Sequence, residues 1–222
     1  MEARDSVERL ICPGSNVLYL FFGGIQAGIA IPPFEFYKAS GIINENKIFL
    51  RDFSQSWYHE GLHGISGDID STALYIENAI NEMDPEKLYF VGNSMGGYAA
   101  ILFHTLLGKG EAIAFAPQTF ISSELRKKYK DERWPEQISR MLSLPATKTE
   151  AHDLGELLLK RKSGCKIAIF VARNNALDLL HAAHVKKCPG VHVYELDVGG
   201  HQLVRVLRDE GKLAHIMAGN YV

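Results

Sequence analysis

Gly92-Asn93-Ser94-Met95-Gly96 sets a serine between two spaced glycines, after the apolar run Lys87 to Val91 and before the helix-forming stretch Gly97 to Phe103. This is the pattern of a serine nucleophile on a sharp strand-to-helix elbow. Such a turn forces the serine backbone into a strained conformation and crowds the residues two before and two after it, so glycine is needed at both. The five-residue spacing recurs by chance; the strand before it and the helix after it give it weight. The chemistry it suits is attack on an acyl carbon. A serine hydroxyl is a poor nucleophile at neutral pH, so an imidazole must take its proton, and a buried carboxylate must hold that imidazole. The developing oxyanion needs N–H donors, each worth about 10²–10³ in rate. One is expected from the Met95 N–H, directly after the serine at a helix N-terminus.

The elements that must carry these groups alternate along the chain. Asn16 to Phe22 is apolar and bounded by Pro13-Gly14-Ser15 and Gly23-Gly24, which reads as a strand buried on both faces. Pro32-Pro33 opens a helical stretch to about Ser40, and Lys47 to Phe53 is the next strand. Asp68 or Asp70 can cap a helix to about Met83, with Leu74, Ile76, Ala79, Ile80 and Met83 at helical spacing. After the elbow strand come strands at Ala112–Ala116, Lys166–Ala172 and Val191–Val198, with a helix from about Leu177 to Lys187 between the last two. Strands separated by helices predict a single α/β domain over residues 1–222, with a mostly parallel sheet, right-handed crossovers and helices on both faces.

Composition narrows the partners. A formal net charge of −2 over 222 residues offers no footprint for nucleic acid or an anionic membrane. The three cysteines, Cys12, Cys165 and Cys188, lack metal-ligand spacing, and an odd count argues against a full disulfide framework. No apolar run approaches the ~18 residues that span a bilayer, and the charged Met1 to Asp5 leads into no signal core. The expectation is a soluble cytoplasmic protein acting on a small molecule.

With these elements in order, the chain resembles a compact α/β-hydrolase, from the strand at Asn16 to the helix after His201. In that superfamily the nucleophile comes first, an acid follows a later strand and a histidine follows the last. The resemblance thus implies Ser94, Asp178 and His201 as the catalytic set, each at the carboxyl end of a strand. Asp197 is the rival acid, but it belongs to the strand that delivers His201. His181 and His184 are expected on the flank of the helix that begins near Asp178, outside the triad. By the same resemblance the second oxyanion donor is the N–H of Gly24 or Ile25. The segment before Asn16 is too short for both leading strands of a full-length member, so the sheet is either trimmed to about six strands or Val7 to Cys12 supplies a short edge.

Two clusters surround this set. Gln26, from the loop after the first strand, and Trp57, Tyr58 and His59, from the loop after Phe53, are expected to line the substrate pocket. A metal site built from His59, His63, Asp52, Asp68 and Asp70 is the weaker reading, because Gly61 and Gly64 mark a loop. The long insertion from Gln118 to Gly164 resembles a helical lid, with helices at Ser122–Lys130, Pro135–Leu144 and Asp153–Lys162. Its basic residues Arg126, Lys127, Lys128, Lys130 and Arg133 alternate with Glu124, Asp131, Glu132 and Glu136, which reads as a solvated face. Trp134 would anchor the insertion. Together these imply a cofactor-free, metal-free serine hydrolase cleaving a carboxylic ester or thioester, free or carrier-bound, through an acyl-enzyme. An acyl transferase or lyase on the same fold, or a catalytically idle binding protein, is the alternative.

Overall fold

The computed structural model describes residues 5–25, 34–145, 147–161, 166–198, 200 and 203–221. Seven strands form one sheet: β1 (Val7–Leu10), β2 (Val17–Phe22), β3 (Asn46–Leu50), β4 (Lys87–Asn93), β5 (Glu111–Phe115), β6 (Lys166–Ala172) and β7 (Val191–Leu196). Their order is β1-β3-β2-β4-β5-β6-β7, and every pair is parallel except β1 with β3. Of the two openings for the N-terminal segment, the short edge is the one realised: Val7 pairs with Leu50 and Leu10 with Lys47.

Alternation within each strand divides the core in two. Leu18, Leu20 and Phe22 of β2 face one layer with Phe90 of β4, while Tyr19 and Phe21 face the other with Val91. Burial on both faces is why these strands read as continuous apolar runs. The first layer is covered by α1 (Ile69–Met83), α2 (Met95–Leu107), α5 (Leu154–Arg161) and α6 (Ala176–Val185). The second is covered by α7 (Leu203–Asp209) and α8 (Leu213–Met217). Two short helices, α3 (Ser123–Tyr129) and α4 (Pro135–Leu142), precede α5 in the insertion. Among the described residues, no helix is long and apolar enough to cross a membrane.

Three local expectations change. Leu74 is 58% exposed, because the buried face of α1 runs through Ile69, Thr72, Ile76, Ala79 and Ile80, and a residue two positions from Thr72 points away from it. Pro32 and Pro33 lie outside the described residues. Beyond them, turns at 35–38 and a 3₁₀ helix, Ala39–Ile42, replace the expected α-helix, since Phe36 has a left-handed φ of 66° that no α-helix accommodates. The charged row of the insertion is only partly solvated: Lys127, Lys128 and Lys130 are exposed, whereas Arg126 and Asp131 are buried.

Candidate active site

The elbow follows from backbone geometry. Ser94, at the end of β4, has φ 54° and ψ −117°. Its N–H donates to Phe115 O (2.9 Å), and its carbonyl accepts from Tyr98 N (3.0 Å) and Gln118 N (3.4 Å), so β5 and α2 together hold the turn. A Cβ on Gly92 would lie 2.0 Å from Gly96 O, and one on Gly96 would lie 2.1 Å from Phe22 O. Neither space admits a side chain, which is the steric demand behind the glycine spacing. Met95 opens α2, so its N–H has no acceptor within the helix and adds to the positive end of the dipole beside Ser94.

The loop after β2 comes up on one flank of the elbow. A Cβ on Gly24 would lie 3.1 Å from Asn93 O, which puts this glycine against the residue before the serine. The Gly24 N–H is already engaged: it donates to Glu35 Oε2 at 2.8 Å, while Asn93 Nδ2 donates to Glu35 Oε1 at 3.0 Å. Glu35 therefore bridges the loop and the elbow. Ile25 packs against the first core layer, and among the described residues no hydrogen bond uses its N–H. Gln26 and His201 lie outside the described residues. Beside Asn93 and Glu35 opens a cleft of about 760 Å³, walled by Phe34, Phe36, Tyr37 and Arg205.

On the other flank lie β5 and then β6, so the ends of β4 and β6 are two strand spacings apart, roughly 10 Å. Asp178 sits in the first turn of α6, after β6, fully buried, with Arg133 Nη1 donating to its Oδ1 at 3.0 Å. Asn175 caps this helix, its Oδ1 accepting from Asp178 N at 3.2 Å. Asp197 behaves otherwise: both its oxygens accept from Arg173 Nη1 at 2.8 Å, and its side chain is 76% exposed. That is a surface ion pair and not a buried acid. His181, on α6, is completely buried and bonded to Asp131.

The loop after β3 is packed more deeply than a pocket rim requires. Trp57 and Tyr58 are fully buried, both with left-handed φ, and the Asp52 carboxylate accepts from Ser56 N (2.7 Å) and Tyr58 N (2.9 Å) to hold that turn. Burial pushes the Asp52 carboxyl up to about 6, against the pull of those hydrogen bonds. The Tyr58 hydroxyl lies 3.2 Å from both Gly23 O and Leu50 O. His59 Nε2 lies 3.3 Å from the Tyr98 hydroxyl, and burial, with His152 nearby, lowers its pKa to about 3. With Asp52 spent on this turn and Asp68 capping α1, among the described residues no group of three or more metal-ligating side chains is assembled.

Three residues bear on the site that motif reading did not single out for it: Glu35, Arg133 and Gln118. Gln118 is fully buried, its Oε1 accepts from Trp57 Nε1 at 3.1 Å, and its Nε2 has no partner. The indole N–H is a donor only, so the amide orientation is forced. None of the three stands in a motif; each is brought in by strand order.

No protein-family model matches the sequence, and no curated protein matches it. Solved structures do. The capsule O-acetyltransferase of Neisseria meningitidis serogroup A is similar with a TM-score of 0.73, at 16% identity, over 96% of this chain and 91% of that one. A lipase-esterase related protein from Clostridium acetobutylicum gives 0.62 at 15% identity, over 99% of this chain and 100% of the other. MenH from S. aureus gives 0.57 at 14% identity, over 97% of each chain. Sheet order, crossover pattern and these similarities agree: this chain has the α/β-hydrolase fold.

Proposed function

We propose that this chain is a serine enzyme that cleaves a carboxylic ester or thioester through an acyl-enzyme on Ser94. The observation that carries the reading is the Ser94 backbone, held at φ 54° and ψ −117° between glycines whose Cβ positions are occupied by backbone. Strained backbone gathers at active sites, and a serine so held at the head of a helix has the geometry of a nucleophile elbow. In the reaction, Ser94 Oγ attacks the acyl carbon and gives its proton to the imidazole of His201. Asp178 holds that imidazole, and the N–H groups of Met95 and of Ile25 or Gly24 bind the oxyanion. For Gly24 to serve, the Glu35 carboxylate must first move off its N–H. The tetrahedral intermediate expels the alcohol or thiol, which takes the proton from His201, and water then releases the acid by the same steps in reverse. The cleft beside Asn93 is the approach for the acyl substrate, with Trp57, Tyr58 and His59 behind the elbow as its support.

Transfer of the acyl group to a hydroxyl acceptor in place of water is the second reading. It is favoured by the TM-score of 0.73 with an O-acetyltransferase, against 0.62 and 0.57 for the lipase-esterase related protein and MenH. A fluorophosphonate probe should label the native chain and spare Ser94→Ala; equal labelling of both rejects the serine assignment. Acyl thioesters offered with and without polyol acceptors then divide the readings: free acid in both cases means hydrolysis, and a new ester means transfer. With either acceptor, kcat/KM should rise with pH through an ionisation near that of histidine, about 6–7.

A further inference from the structure

Asp178 is tied to the insertion by a buried charge network that acyl chemistry alone does not demand. Asp131, between α3 and α4, is buried and gathers four donor nitrogens: Arg133 Nε and Nη2 (both 2.9 Å), Arg133 N (3.0 Å) and His181 Nε2 (2.9 Å). Arg126 Nη1 stands 3.7 Å from the same carboxylate. Arg133 then reaches past Asp131 and gives its remaining Nη1 to Asp178 Oδ1 at 3.0 Å. His181 is neutral here, because its Nδ1 accepts from Thr119 N at 3.0 Å and so carries no proton. Burial, the largest influence, holds its pKa below the ordinary histidine value. The network thus encloses two carboxylates and two guanidiniums, and their charges cancel.

We propose that Arg133 is a positioning residue that fixes the Asp178 carboxylate and offsets part of its charge, thereby setting the ionisation of the catalytic imidazole. This rests on the reading of Ser94, Asp178 and His201 as the catalytic set. A carboxylate beside an imidazole favours the cation and raises its pKa; a guanidinium on that carboxylate weakens the effect. The fork geometry matters, since one planar group serves Asp131 with two nitrogens and Asp178 with a third, which an ammonium cannot copy. Among the described residues, the charged and titratable groups of this network are Arg133 and Asp131 from the α3–α4 connection, Arg126 from α3 and His181 from α6 itself.

The test is the pH profile of kcat/KM for native chain, Arg133→Met, Arg133→Lys and Asp131→Asn, with active sites counted by fluorophosphonate titration. Arg133→Met should move the acid limb up by roughly one pH unit and lower kcat by about 10- to 100-fold through misplacement of the acid. Arg133→Lys should keep the limb near its native position with a smaller loss of kcat. Asp131→Asn, which leaves the guanidinium charge to Asp178 alone, should move the limb down, and it serves also if Arg133→Met does not fold. Limbs at the native pH in every variant, with only the count of active sites reduced, would make the network a structural brace and overturn the proposal. Asp178→Asn run alongside keeps the two ideas apart: native activity there sinks the catalytic set itself, whatever Arg133 does.

Discussion

At Ser94 the molecule holds a residue with a Cβ in a backbone conformation that costs about 1–3 kcal/mol, and what imposes it is other backbone. Phe115 O accepts from the serine N–H, Gln118 N and Tyr98 N donate to its carbonyl, and the glycines at 92 and 96 let α2 close onto the end of β2. The strain therefore has a signature separate from catalysis. Ser94→Ala and Ser94→Gly both remove the hydroxyl, but only glycine relieves the Cβ. Glycine also frees the unfolded chain by roughly 0.5–1 kcal/mol, so the net gain of Ser94→Gly over Ser94→Ala should be about 1 kcal/mol. Urea denaturation of the two inactive variants measures it. A glycine variant no more stable than the alanine variant would mean that the elbow is relaxed, and the argument for a dedicated nucleophile would weaken with it.

Elements differ in how plainly the sequence announces them, and the reason is burial. Strands covered on both faces, such as Val17–Phe22 and Lys166–Ala172, are runs of large apolar residues and stand out. Val7–Leu10 is a half-exposed edge with Glu8 and Arg9 in it, and only its pairing with Asn46–Leu50 makes it a strand. Ser94 was legible because its constraint is local, confined to five residues. The bridge from Glu35 to Asn93 and the tie from Arg133 to Asp178 were not, since both join distant segments and a row of alternating charges looks the same whether solvated or folded inward. The start of α1 is a local signal that leaves two candidate caps, and Asp68 is the one realised: its Oδ1 accepts from Ser71 N at 2.7 Å and the Ser71 hydroxyl answers the Asp68 N–H. Asp68→Ala should cost about 1 kcal/mol in urea denaturation and leave kcat unchanged, because α1 contributes no group to the site. A fall in kcat at full occupancy of folded protein would show that α1 communicates with the elbow.

For the whole molecule the buried histidines decide how stability follows pH. Burial lowers the pKa of His59 to about 3 and of His104 to about 4, and it also lowers those of His152 and His181. Each is neutral when folded and takes a proton when unfolded below the ordinary value of about 6.5, so acid favours the unfolded chain between about 6.5 and the folded pKa. Asp52 acts in the opposite sense: with its carboxyl raised to about 6 by burial, the folded state binds a proton that the unfolded chain does not bind until about pH 4. Among the described residues, four such histidines against one such carboxyl leave a net loss of stability as pH falls from about 6.5 to about 4. Below about 4 the loss steepens, because Asp131 and Asp153 are held below the ordinary carboxylate range: burial alone would raise them, but their histidine and other partners outweigh it. The urea midpoint should therefore drop steadily from pH 7 to pH 4. His104→Gln should flatten that slope by up to one proton, about 1.4 kcal/mol per pH unit, since His104 Nδ1 donates only to Lys109 O and its Nε2 is buried without a partner. An unchanged slope would mean that His104 is charged inside the fold. The same arithmetic separates two causes of acid inactivation. On a jump from pH 7 to pH 4.5, loss that is immediate and reverses at once on return reports the catalytic imidazole. Loss that grows with time at low pH reports unfolding, and it should grow more slowly in His104→Gln.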